Sequence, residues 1–92
     1  MPKNIILEKL FIKHYKQRLS NNKLLILRYE ERVDMFLRDR NNPVLKDHQL
    51  KGKLKQYRSF SVAGDCRIIY KEEEKDVVFI FIDIGTHNQV YK

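Results

Sequence analysis

At 92 residues the chain has room for one hydrophobic core and no second, so residues 1–92 are read as a single domain. Its 42% apolar content suffices for a compact fold, while 34% charged residues exceed the usual quarter and imply a densely ionic surface. A formal net charge of +7, with a pI near 9.6, gives a field that draws polyanions or an acidic protein partner. One cysteine, Cys66, excludes an intramolecular disulfide, and with three scattered histidines it gives no zinc-type ligand spacing; neither metal nor cofactor is expected. No apolar run approaches membrane-spanning length, and Met1 to Glu8 lacks the apolar stretch of a signal peptide. A reducing cytoplasm, away from membranes, is the expected setting.

Asn4 to Leu7 is a short apolar run that reads as an initial strand. From Glu8 to about Leu19 the residues Leu10, Phe11, Tyr15 and Leu19 recur at helical spacing and predict a helix that buries them. Ser20-Asn21-Asn22 breaks that helix and supplies an N-cap for the next, from about Lys23 to Arg38. Ile26, Tyr29, Val33, Phe36 and Leu37 form its buried stripe, with Arg28, Glu31, Arg32 and Asp34 in water. Asp39 to Pro43 ends it, because the residue before proline disfavours the helical region. Joined by so few residues, the two helices form an antiparallel hairpin.

Val44 to Leu50 reads as a loop, after which the apolar period shortens to that of strands. Lys55 to Val62 is a strand, Ala63-Gly64-Asp65 a turn, and Cys66 to Lys71 the second strand of a hairpin. Glu72 to Asp76 is a polar turn, and Val77 to Ile84 is a strand apolar on both faces, as a central strand is. Gly85 ends it, and Thr86 to Lys92 is a short tail. The order is β-α-α-β-β-β: an α+β fold with a helical hairpin packed on a twisted, mostly antiparallel sheet.

The polar groups cluster late in the chain. Basic residues crowd the stretch from Lys46 to Arg58, which favours a binding face there. Lys51, Lys53 and Lys55 alternate, so an extended backbone puts them on one side as a phosphate-tracking ridge beside Tyr57 and Phe60. Arg67 interrupts the apolar run around it and needs water, an anion, or a carboxylate such as Asp65 or Asp83. Asp65 beside Gly64 also fits an ordinary turn. His48 lies in a polar loop with no apolar reason for a histidine, and His87 follows the strand break at Gly85-Thr86. His14, among lysines on the first helix, is read as solvated or half-buried and without function. Tyr91 either stacks on a base or holds the tail down.

Four stretches in order, Lys46-Asp47-His48-Gln49-Leu50-Lys51-Gly52, Tyr57-Arg58, Gly64-Asp65-Cys66-Arg67-Ile68-Ile69-Tyr70 and Ile84-Gly85-Thr86-His87 with Tyr91, closely resemble toxins of the RelE/ParE superfamily, in particular the YafQ-like branch. The resemblance spans essentially the whole chain. It implies a RelE-like fold and a type II toxin–antitoxin toxin that cuts mRNA in the ribosomal A site without a metal. A 2′-hydroxyl attacks the adjacent phosphate, leaving a 2′,3′-cyclic phosphate. Carried over by motif, His48 is an acid/base or phosphate contact, Asp65 orients it, and Arg67 stabilises the phosphorane. His87 is the acid to the leaving oxygen, and Tyr91 positions the substrate. Lys46, Lys51, Lys53, Lys55 and Arg58 then bind RNA, and the partner is an acidic antitoxin. One departure stands out: relatives often carry another histidine in the strand after Tyr57-Arg58, where this chain has Ser59-Phe60-Ser61-Val62. The alternatives are a ParE-like toxin acting on DNA gyrase and a catalytically weak, antitoxin-binding relative.

Overall fold

Side-chain alternation along the strands decides which residues meet the helices. The computed structural model describes residues 3–91; Met1, Pro2 and Lys92, the outer ends of the N-terminal segment and the tail, lie outside the described residues. In chain order the elements are β1 (Asn4–Leu7), α1 (Lys9–Arg18), α2 (Lys23–Arg38), β2 (His48–Gln49), β3 (Arg58–Ala63), β4 (Cys66–Glu74), β5 (Val78–Gly85) and α3 (His87–Val90). Short 3-10 turns form at Pro43–Leu45 and Gly52–Leu54. The sheet order is β1-β5-β4-β3-β2, with β1 parallel to β5 and every other pair antiparallel. This is the expected α+β layering with two added pieces, β2 and α3.

On β3, β4 and β5 alternate residues Phe60 and Val62, Ile68 and Tyr70, and Phe79 and Phe81 are fully buried, on the face that receives the helices. Phe36 of α2 plugs into this face. Its ring lies 4.5 Å from Phe60 and 4.9 Å from both Tyr70 and Phe79, centroid to centroid. Phe11 of α1 sits 5.5 Å from Phe81. Each such ring contributes on the order of 2 kcal/mol by leaving water. The helix pair closes through Tyr29, whose ring is 5.0 Å from Tyr15 and 6.2 Å from Phe11.

α2 starts and stops where the sequence says, because Asn22 accepts the Leu25 N–H at 3.0 Å and caps it. Several readings need correction. Leu10 is 45% exposed, since α1 turns Phe11, His14, Tyr15 and Leu19 toward the sheet instead. Arg32, read as solvated, is half-buried. The Val44 to Leu50 loop contains a 3-10 turn and the edge strand β2. The strand expected from Lys55 begins at Arg58, and β4 runs on to Glu74, so the polar turn shrinks to residues 75–77. The tail after Gly85 is the helical turn α3. Among the described residues no helix is long and apolar enough to cross a membrane.

Candidate active site

The other face of the sheet carries the polar members of the same strands. Register places Ser59 opposite His48 and Ser61 opposite Arg67, while Arg67 also faces Gly85 of β5. Side chains directly opposite on one face approach to about 5 Å. Three local devices then bring the remaining residues to this end.

The first fixes His48. Lys46 takes a left-handed backbone, φ 52°, costing roughly 1–2 kcal/mol for a side-chain-bearing residue. Its carbonyl lies 2.8 Å from His48 Nδ1. A carbonyl can only accept, so Nδ1 carries the proton and Nε2 of the neutral ring is left as a base. Between these two residues, Asp47 is driven inward to 7% side-chain exposure. It accepts Arg58 Nε at 2.8 Å and Nη2 at 2.5 Å, together with the Tyr70 hydroxyl. Burial pushes the Tyr70 hydroxyl pKa up, and its bond to Asp47 adds to the rise. For Arg58, burial alone lowers the pKa, but hydrogen bonds with Asp47 and Tyr70 outweigh it and leave the guanidinium above its ordinary value. Arg58, read as an RNA contact, is thus occupied in nailing the His48 segment to the sheet.

The second device is the turn after Lys51. Gly52 at φ +66° begins a 3-10 turn, so the backbone from Lys51 to Lys55 is not extended. The lysine ridge does not exist. Lys51 lines a cleft at this end of the sheet, Lys53 is exposed and does not line it, and Lys55 borders a separate hollow with Gln49, Gln56, Arg58 and Glu72. Phe60, expected to bound the charged run, is buried in the core. The same turn brings Leu54 to the cleft wall.

The third device launches α3. Thr86 and Gln89 form a capping box: Thr86 N–H donates to Gln89 Oε1 at 2.8 Å, and Gln89 N–H to Thr86 Oγ1 at 3.4 Å. Gly85 leaves room for both neighbouring contacts, because a Cβ there would lie 2.6 Å from Gln89 Oε1 and 2.8 Å from Arg18 Nη1 and push those side chains aside. Arg18 Nη1 donates to the Ile84 carbonyl at 2.8 Å and pairs with Asp83 at 3.3 Å, while His14 Nδ1 lies 2.6 Å from the same carboxylate. His14 is therefore a half-buried tie between α1 and β5. Asp83 is committed to α1, not to Arg67.

Together these devices build a cleft of about 300 Å³ lined by His48, Leu50, Lys51, Leu54, Arg67, His87 and Tyr91. The His87 and Tyr91 rings meet edge to face at 4.6 Å, and the Arg67 guanidinium carbon stands 5.8 Å from the Tyr91 ring centre. Asp65 lies on the rim and is bonded to Arg67, Nη2 to Oδ1 at 3.0 Å. It does not reach His48, whose Nδ1 is taken by Lys46. A smaller recess of about 100 Å³ adjoins the cleft, lined by Lys46, His48, Ser59, Ser61, Gly64 and Arg67.

The sequence profile described as "Bacterial toxin of type II toxin-antitoxin system, YafQ" matches residues 3–92. The chain belongs to the YafQ toxin family. It is thus a toxin of type II toxin–antitoxin type within the RelE superfamily. No curated protein sequence matches it. Among solved structures, this YafQ-family chain is similar to the toxin of the E. coli DinJ-YafQ complex, at 25% identity and TM-score 0.78 over 98% of this chain and 99% of that one. It is similar to a copper-bound mutant toxin from Helicobacter pylori, at 26% identity and TM-score 0.73 over the same shares. A YoeB/ParE toxin from Agrobacterium tumefaciens shares the fold at 15% identity, with TM-score 0.76 over 95% of this chain and 99% of that one.

Of the ten site residues read from the toxin's sequence, His48, Lys51, Arg67, His87 and Tyr91 meet in the cleft, Lys46 adjoins it, and Asp65 holds Arg67. Lys53, Lys55 and Arg58 stand outside. Sequence reasoning passed over Leu50, Leu54 and Asp47, and it passed over Thr86 and Gln89 although the Thr-x-x-Gln spacing is itself a capping signal.

Proposed function

We propose that this toxin is a ribosome-dependent mRNA endonuclease that cuts by attack of a 2′-hydroxyl on the neighbouring phosphate. The observation that carries the reading is the convergence of two histidines, His48 and His87, on one cleft that also holds Arg67. His48 Nε2 takes the proton from the 2′-hydroxyl, the freed oxygen bonds to phosphorus, and the bond to the 5′-oxygen breaks. His87 gives a proton to that leaving oxygen, so the products are a 2′,3′-cyclic phosphate and a 5′-hydroxyl. Histidine suits both roles because its ordinary pKa lies near neutrality.

Arg67 stabilises the charge that grows on the non-bridging oxygens, the largest electrostatic contribution in such a step. Its Nε and Nη2 are held by Asp65, which leaves Nη1 without a protein partner among the described residues. Asp65 is accordingly the residue that aims the guanidinium. Tyr91, packed at an angle against His87 and within cation–π distance of Arg67, supplies a ring for a base to stack on. Ser61 stands directly opposite Arg67, where a hydroxyl cannot serve as a base unaided, so the proton-accepting role rests on His48.

The chain's net charge of +7 fits both a ribosome-bound message and an acidic antitoxin that covers the basic cleft. Controlled expression in cells tests the reading. Wild-type chain should arrest growth, and Arg67→Ala or His87→Ala should relieve the arrest while the purified variants keep the wild-type far-UV spectrum. Full toxicity in both folded variants would overturn the assignment.

A further inference from the structure

His48 and Arg67 are shared walls between two concavities of different chemistry. On one side the cleft offers Leu50, Leu54, His87 and Tyr91, groups that pack on a flat ring. On the other, the recess offers an ammonium, two hydroxyls and a backbone free of side chain at Gly64, with no ring besides the shared His48 imidazole. At about 100 Å³ against 300 Å³, the recess has room for a phosphate and the edge of a sugar but not for a stacked base.

The hydroxyls are placed with register accuracy. Ser59 lies opposite His48 and Ser61 opposite Arg67, so each serine sits beside one of the two groups that handle the reacting phosphate. Lys46 makes no ion pair among the described residues, and its left-handed backbone puts it at the mouth of this recess. A cation with adjacent O–H donors binds phosphate oxygens and ribose hydroxyls without reading the base.

Resting on the nuclease reading, we infer that the Lys46–Ser59–Ser61–Gly64 recess is a sugar–phosphate subsite for the nucleotide flanking the scissile bond. Base recognition is then confined to the Tyr91 side. Ser61 is a substrate-positioning hydroxyl, and the enzyme reads sequence on one side of the cut only.

Amide NMR of the full chain, titrated separately with inorganic phosphate and with adenosine, tests this. Phosphate should shift Lys46, Ser61, Gly64 and Arg67, and adenosine should shift Leu54, His87 and Tyr91. Lys46→Gln should weaken phosphate roughly tenfold, the loss of one charge-assisted contact, and Ser61→Ala a few-fold, with adenosine binding unchanged in both. Phosphate that shifts the Lys53 and Lys55 amides but not the recess, or that binds the two variants as it binds wild type, overturns the subsite. Adenosine displacing phosphate from the recess overturns it equally. Failure of the wild-type chain to cut any message would instead strike the nuclease reading, because the phosphate titration is read without turnover.

Discussion

The two faces of the same three strands have opposite characters. Toward the helices, Phe60, Tyr70, Phe79 and Phe81 close around Phe36 in a dry aromatic core. On the other side, one residue out of phase, Ser59 and Ser61 line the small recess and Arg67 lines both it and the cleft. A period of two lets six residues of β3 supply both stability and chemistry, and it makes the two separable by mutation. The core face holds the fold; the cleft face is held in place by it.

That contrast can be broken most severely from the core. Phe36→Ala removes the ring that four strand aromatics surround and should cost about 3–5 kcal/mol, read as a lowered urea midpoint. Next comes Asp47→Ala, which strands the inward-facing Arg58 and Tyr70 groups; because Arg58 is one-third exposed the expected loss is discounted to roughly 2 kcal/mol. This variant should also lower cleavage, since His48 loses its anchor, and a loss of stability with full activity would show that the anchor and the base are independent.

Thr86→Ala, which removes the cap of α3, should cost about 1 kcal/mol and speed exchange of the Tyr91 amide, leaving β3 and β4 protected. Arg67→Ala reverses the pattern. Its surface pair with Asp65 is worth at most about 1 kcal/mol, yet cleavage should fall roughly 10²–10³-fold.

Cys66 sharpens the boundary between the faces. Burial drives its thiol pKa up to about 11 from 9.0, against the opposing pull of Arg67. The thiolate is scarce at pH 8, so iodoacetamide should modify native chain far more slowly than urea-unfolded chain. A folded pKa above the unfolded value means this contribution is complete below pH 9 and is lost as pH rises toward 11. The urea midpoint should drop between pH 8.5 and 10.5 by less in Cys66→Ala than in wild type.

Long-period features were legible in the sequence, and turn-level ones were not. α2 was read to the residue because Asn22 caps it and five apolar positions repeat at helical spacing. β4 and β5 were readable as apolar runs on either side of a polar turn. The lysine ridge failed because alternation carries meaning only in extended backbone, and Gly52 in a left-handed conformation turns the chain there. β2, at two residues, is too short to show any period. Five of the seven residues lining the cleft were legible as residue types in order, His48, Lys51, Arg67, His87 and Tyr91. What positions them, Arg58 on Asp47 across eleven residues and Arg18 on Ile84 across sixty-six, leaves no local mark in the sequence.

The proposed chemistry gives the cleft face ribosome-dependent cleavage with His48 as base and His87 as acid. In vitro translation of a defined message with the purified chain, followed by primer extension, tests it most directly. Cuts at fixed codon positions with wild type, their loss in His48→Ala and His87→Ala, and no cutting of the same RNA without ribosomes are the expected result. Message left intact by the folded wild-type chain, or cut equally by both histidine variants, would contradict the claim.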